Sequence, residues 1–508
     1  MPKATLQFGE WRPDLALLDN QYASIADNAF PALNCYKPLP SLRPFSTAML
    51  PSRCLGLFPA RREDGTWDIY AGTATKLYKW SWAGWSDVSR LSGGNYNVPF
   101  EQWWEWTQFG EHLIVVNGAD APQWINVETD SNFSALPGSP PKASNVHTIG
   151  DFVVLAGLTA GSTIGSPPKP TNLRQIIWSS INAPDQWSIG VNLCDFQEMP
   201  DGGPVVALAG DKIGYIVQDR AIRLMQFLPG DINTIFSISK VVQDKGSISR
   251  SVATVADDLY FMAEDGPYRL SGNQLDPIGE QKVSEWWLAN SDAFRRNGLQ
   301  IVPANKPYVI FTFYDNGASQ FYNRVLIYNW LLQRWASGTV AAQQWAMLST
   351  TALDLDTTGT EPGDQWLDSP PAPLPPNAPH PLDSFAYLGG RPLICAINGD
   401  GQLCALQGPN LMAIMQTGEA HLVPGMRAFV SEVYPLCDGA PNGTIMVETR
   451  ERMADARVSS VDYPLEITGS ASVLTSARLH RFTHTIPAGE VWTTAQGVLV
   501  EAQPDGHA

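Results

Sequence analysis

From about Gly56 onward the chain is written in pairs of short segments. A run of nearly continuous apolar residues is followed by a polar turn, then by a run in which apolar and polar positions alternate. Residues 68–72 lead to 76–80 and on to Gly84-Trp85-Ser86-Asp87-Val88. Residues 112–116 pass through Asn117-Gly118 to 122–127, and 151–155 lead to 174–179, with Trp187 closing the unit. The pattern returns at 212–218 with 221–227, at 258–262 with 267–270 across Glu264-Asp265-Gly266, and at 307–313 with 324–330, followed by Trp335. Period-two alternation predicts strands with one buried face, and short continuous apolar runs bounded by turn residues predict strands buried on both faces. The apolar members recur roughly 40–60 residues apart, the repeat of a four-stranded propeller blade. The expectation is an all-β chain with a β-propeller of about six blades, the apolar member innermost and the alternating member farther from the axis. Residues 385–387, and 393–395 with 401–406, are candidates for a further blade.

Other patterns flank this core. Residues 1–55 carry Pro31, Pro38, Pro40, Pro44 and Pro51 and no secondary-structure period, which predicts an extended arm. The propeller core is placed at 56–350, with 282–289 as the best short helix candidate. Residues 351–382 hold a proline-rich run that predicts a polyproline-type linker or surface arm; docking into an SH3-like groove is the lesser alternative. Within 383–508, beyond the remaining blade strands, residues 427–435, 443–449, 478–486 and 497–501 alternate clearly and predict a C-terminal antiparallel β-sandwich-like region.

Composition sharpens this reading. Of 508 residues 44% are hydrophobic and 16% charged, against about 25% charged in an average domain, so neutral loops or partner subunits must cover much of the surface. Eighteen tryptophans point to blade interfaces or large buried contacts. The net charge of −17, with no basic arm or stripe, argues against tight duplex binding and permits a conduit through which nucleic acid slides. Six cysteines, Cys35, Cys54, Cys194, Cys395, Cys404 and Cys437, form no zinc spacing; Cys395 and Cys404 are placed to face each other on two strands, and all six read as buried free thiols of a reducing cytoplasm. The first residues lack the apolar core of a signal peptide, and no run approaches a membrane-spanning length.

Each chemical candidate has a plainer alternative. Ser92-Gly93-Gly94-Asn95 and Asp201-Gly202-Gly203-Pro204 lack the context of a phosphate loop and read as turns. His480 and His484 would pair on a metal only from a helix, and their segment alternates as a strand. Asp195 with Glu198, Asp257 with Asp258, and Glu264 with Asp265 are the acid pairs a glycosidase would need, yet all sit in turn-like settings. Trp103-Trp104-Glu105-Trp106 would stack on sugar rings, but reads better as a blade or subunit interface. Arg61-Arg62 and Arg295-Arg296 are local basic spots that read as surface loops. No catalytic, cofactor or metal residues are assigned and no cofactor is expected, so the chain reads as a non-enzyme.

The succession Tyr70–Tyr78, Gly84–Ser89, Gln108-Phe109-Gly110, Val116-Asn117-Gly118 with Pro122-Gln123, and Asp195-Phe196-Gln197 with Asp201-Gly202-Gly203 resembles tail hub or nozzle proteins of short-tailed bacteriophages and related prophages. The resemblance continues through Gln218–Ile222, Glu264-Asp265-Gly266, 324–330 with Arg334-Trp335, and 489–501, and so covers nearly the whole chain. It implies a propeller subunit repeated around the tail axis as a ring, usually a hexamer. The ring would lie below the portal and its adaptor, carry a distal needle, fibres or spikes, and pass double-stranded DNA through its lumen. The chain is then a virion protein made in the bacterial cytoplasm. A carbohydrate-binding or glycan-hydrolysing propeller is the alternative.

Overall fold

A computed structural model describes the chain except residues 1–2, 17, 19–20, 82–83, 161–170, 231–233, 305–306, 318–320, 350–391 and 506–508. The expected proline-rich arm at 351–382 and the candidate strand 385–387 therefore lie outside the described residues.

Five consecutive four-stranded antiparallel sheets run from Gly56 to Asp276, each a meander of neighbouring strands. These are blades 1 to 5, with innermost strands Gly56–Arg61, Glu105–Phe109, Lys142–Ile149, Val205–Gly210 and Ala253–Val255. Blade 6 begins at Gln300–Pro303 and continues through Tyr308–Phe313 and Tyr322–Asn329 to the strand Arg334–Ser349. That last strand serves two blades. Residues 334–342 pair with blade 6; beyond an irregularity near Ala342 and Gln344, the rest pairs with Pro392–Asn398 as the innermost strand of a seventh blade. Gln402–Asn410 is third in that blade, and its outermost strand is Pro40–Met49, brought from the start of the chain. The described residues thus form a seven-bladed β-propeller, closed by pairing segments more than 350 residues apart.

The structure corrects two expectations about the propeller. The segment 1–55 is not an extended arm: it supplies the closing strand of blade 7 and four shorter strands to the second module. Proline hid this strand, because at a sheet edge half of the backbone N–H groups have no partner to lose, so Pro40 and Pro44 are tolerated there. The most apolar member of each pair is also not innermost. Residues 112–116, 152–155 and 258–262 lie in second strands, pressed between neighbouring blades and almost wholly buried. The innermost strands face the axis on one side and carry Glu105, Thr107, Asn145 and His147.

The C-terminal module is a sandwich. One sheet pairs Ala428–Gly439 with Trp492–Pro504 and Ala471–Ala477, and adds Lys3–Gln7, Ala29–Pro31 and Tyr36–Pro38. The other holds Ala413–Gln416, Leu479–Ile486 and Thr444–Arg450. The short strand Ile25–Asp27 pairs with Ala413–Gln416 on one side and with Ser337 of blade 6 on the other, so one hydrogen-bonded sheet runs from the propeller into the sandwich. The core follows the sheet: Trp335 and Phe311 of blade 6, Trp287 of the helix Ser284–Asn290, Tyr36, and Val433 and Val500 of the sandwich belong to one buried cluster.

Arg334 seals this joint. Its guanidinium, almost fully buried, donates to the carbonyls of Ala32 at 2.7 Å, Leu33 at 2.6 Å and Gly9. Asp14 adds a second lock, its carboxylate accepting the N–H groups of Glu285 at 2.9 Å and Trp286 at 2.8 Å at the start of the helix.

Candidate functional site

The innermost strands enclose an axial cavity of 490 Å³. Its wall includes Trp103, Glu105 and Trp106 at the entry to blade 2, His147 on blade 3, and Ser249, Arg250 and Ser251 on the connection into blade 5. Asn297 and Gln300 at the entry to blade 6, and Gln344 on blade 7, complete the polar side. Trp103 reaches Gly298 at the entry to blade 6, where a Cβ would lie 3.1 Å from its ring. Beyond Trp103 an apolar hollow of 850 Å³ is rimmed by Phe100 and Phe294, each 91% exposed.

Two charges dominate the axial cavity. Burial pushes the Glu105 carboxyl up to about 7, with the Arg250 guanidinium pulling weakly the other way. Arg250 is lowered by the same loss of water and raised by Glu105. The two act on each other through space, without a hydrogen bond between them. Arg250 Nη1 and the indole nitrogens of Trp103 and Trp106 are buried without a hydrogen-bond partner among the described residues. His147, by contrast, is engaged: Nε2 sits 2.9 Å from the Gly210 carbonyl, and burial lowers its pKa.

The sequence candidates fall elsewhere, apart from the tryptophan cluster. Asp195 and Glu198 lie on the outermost strand of blade 3, three residues apart and therefore on opposite faces, with Glu198 held by Arg174 at 3.0 Å. Asp257 is in a tight turn with φ of 68°, and Asp258 faces Arg269. Asp265 is bound by Lys245 and by the Tyr268 hydroxyl in the turn it shares with Glu264. Arg90 donates to the carbonyls of Gly94 and Asn95, which fixes the glycine turn, while Asp201 pairs with Arg223 and Lys240.

His480 and His484 lie four residues apart on one strand, both fully buried, with burial pushing each down to about 4. Among the described residues no group of three potential ligands stands close enough to hold a metal ion. Arg62 pairs with Glu128, and Arg295 with Asp292, while Arg296 donates to Ser291 and to the Leu288 carbonyl. Cys395 and Cys404 do not face each other: in the paired register Cys395 stands opposite Ala405 and Cys404 opposite Ala396, which turns the two thiols to opposite faces. All six thiols are free, five of them buried.

The Trp103–Trp106 stretch divides between two roles. Trp104 lies at the boundary of blades 1 and 2, its Nε1 donating to the Thr73 carbonyl at 2.8 Å. It rests directly on Gly72, where a Cβ would come within 2.2 Å of the ring. Trp103 and Glu105 instead face the axis. Sequence reasoning picked out this stretch for its aromatics but did not single out Glu105 or Arg250, because nothing in the local pattern says which connection residues reach the axis.

No family model and no curated protein matches this chain. Among solved structures it is similar to YCF48 bound to D1 peptide, at 11% identity and a TM-score of 0.37, over 72% of this chain and 97% of that one. It is also similar to the N-terminal domain of Nup159, at 10% identity and a TM-score of 0.34 over 74% and 94% of the two chains. BamB from Moraxella catarrhalis gives 12% identity and a TM-score of 0.32 over 74% and 95%. The chain is an all-β propeller protein. Likenesses this distant carry no argument about its role, and its blades are counted from its own sheets.

Proposed function

We propose that the chain is a structural subunit of a short-tailed phage tail, building a ring-shaped hub or nozzle that conducts DNA and anchors distal parts. The observation that carries this reading is the joint between the two modules. A shared sheet, a shared core and the Arg334 cage make propeller and sandwich one rigid, two-lobed body, which suits a part that must bear load between neighbours. Residues behind the resemblance are framework residues here: Gly72 seats Trp104, Gln218 binds Arg223 at 2.9 Å, and Arg334 ties down the N-terminal segment.

The DNA path follows from size. The axis is lined from all seven blades by inward side chains, among them Trp103, Glu105, His147, Arg250, Gln300 and Gln344, which leave a cavity of small-molecule size, far short of a duplex. DNA therefore runs between copies of the chain and not through a propeller axis. In a net charge of −17 the lumen repels phosphate on average, so the strand slides without sticking. Native mass spectrometry and electron microscopy of the full chain test this, with a closed ring of about six copies around an open centre expected. A chain that stays monomeric at micromolar concentration and is missing from purified phage particles overturns it.

A further inference from the structure

We propose that the axial cavity of each propeller binds a small amino-acid-like zwitterion, its carboxylate on Arg250 and its ammonium on Glu105. The site lies inside one chain, so the proposal stands apart from the ring assembly.

Arg250 is placed by construction. Ser249 Oγ donates to the Leu299 carbonyl, and Ser251 Oγ donates to the Ile301 carbonyl at 3.2 Å while accepting the Ile301 N–H at 2.8 Å. Ser247 Oγ bonds the Ser249 carbonyl at 2.7 Å and steadies the same stretch. Hydroxyls at alternate positions thus pin the chain to the entry of blade 6. The chain bends through residues 248–250, and Ser249, Arg250 and Ser251 all line the cavity. Arg250 projects into the cavity, its Nη1 buried and free of acceptors among the described residues. Glu105 opens the innermost strand of blade 2, three blades before the one Arg250 leads into, and the two line the same cavity.

Opposite charges lining one cavity without a contact are an unusual arrangement. Each loses water, and neither recovers that loss from a bonded partner. A molecule with an anionic end and a cationic end recovers both at once: guanidinium matches carboxylate with two parallel N–H donors, and the Glu105 carboxylate takes an ammonium. Trp103 supplies an apolar wall and a ring face that favours a cation, and Trp103 and Trp106 bring two unpaired indole N–H groups. A volume of 490 Å³ falls within the 300–1,000 Å³ of small-molecule sites. A ligand with phosphate at one end and no cation meets repulsion from Glu105, which is why the zwitterion is preferred. The other titratable wall groups are His147, already bonded to Gly210, and Tyr322, whose hydroxyl donates to the Gly298 carbonyl at 2.7 Å.

The test is saturation-transfer NMR on the full chain at pH 8 with L-leucine at up to about 10 mM, the range of weak small-ligand binding. Two analogues with the same alkyl group serve as arms: 4-methylpentanoate carries only the anion, isopentylamine only the cation. L-leucine is expected to give the strongest transfer, weakened at least tenfold by Arg250→Met and at least tenfold by Glu105→Gln. Transfer to 4-methylpentanoate should fall with Arg250→Met and change less than twofold with Glu105→Gln. Glu105→Gln preserves shape, so a lost signal there with an unchanged circular dichroism spectrum reports charge and not unfolding. No transfer to L-leucine in the unaltered protein, or transfer in both variants as strong as in the unaltered protein, overturns the proposal. Loss in Arg250→Met alone overturns it too, since the site would then be a simple anion site.

Discussion

Two buried arginines and one half-buried arginine divide the molecule into regions of two kinds. At the joint Arg334 is caged by three carbonyls, and in the sandwich Arg450 meets Glu419 through the Nε–Nη2 edge of its guanidinium, with Nε 2.6 Å from Oε1 and both side chains under 10% exposed. At the propeller axis Arg250 has no such partner. At the first two sites the guanidinium is held by direct hydrogen bonds within the chain, although Arg334 Nε has no partner among the described residues, and removing one member leaves buried polar groups stranded. The axial site is incomplete: removing its arginine breaks no hydrogen bond, and takes from Glu105 only a charge that acts through space. Framework and binding site thus separate by whether the buried polar groups are satisfied.

That contrast sets the order of expected effects. Arg450→Met should cost about 3–5 kcal/mol in denaturant unfolding, because Glu419 stays buried without its bidentate partner. Arg334→Met should fall in the same range, about 3 kcal/mol or more, by abandoning three carbonyls. Equal stability of either variant with the parent would remove the distinction. Gly72→Ala should cost about 1–3 kcal/mol by pushing Trp104 off its seat, read as a lower melting temperature and altered tryptophan fluorescence. Arg250→Met should change stability by less than about 0.5 kcal/mol, or raise it.

The pH responses of the two regions should have opposite signs. His480 and His484 have folded-state values near 4, below the ordinary 6.5, so the unfolded chain binds more protons between those limits. Their contribution is present above pH 6.5 and is lost as the pH falls towards 4, by on the order of 2–3 kcal/mol per histidine. Glu105 is raised from 4.5 to about 7, so the folded chain binds more protons between those limits. Its contribution is present below pH 4.5 and is lost as the pH rises through 7. Unfolding midpoints of His484→Phe should flatten the acid limb, and those of Glu105→Gln the neutral limb. A variant that altered the other limb would show the assignment to be wrong.

How much of this was legible follows from where the information sits. The strand pairs with their tryptophans, the sandwich strands near 428–439 and 479–486, and the helix near Ser284 were readable because apolar periodicity and turns are local. The closing strand Pro40–Met49 was not, since its partner lies at Gln402–Asn410 and its prolines mimic a loop. The innermost strands were missed because facing a polar axis halves their apolar signal. The axial site escaped for a related reason: Glu105 was visible only as one member of a tryptophan cluster, and Arg250 only as one residue in a serine-rich stretch. It takes the closed ring to bring them to one space.

The pairing of early and late segments also imposes a schedule on synthesis. Residues 3–7 hydrogen-bond with the strand that ends at Pro504, and residues 40–49 with 402–410. At roughly 5–20 residues per second the first strand waits on the order of 25–100 s for its partner to leave the ribosome. During that interval blades 1 to 5 can form in turn from local hairpins, while the ring stays open and the apolar flank of blade 1 that meets blade 7 remains bare. The nascent chain therefore passes its most aggregation-prone stage after most of its sheets have formed, and a chaperone acting on it would act on an almost finished ring.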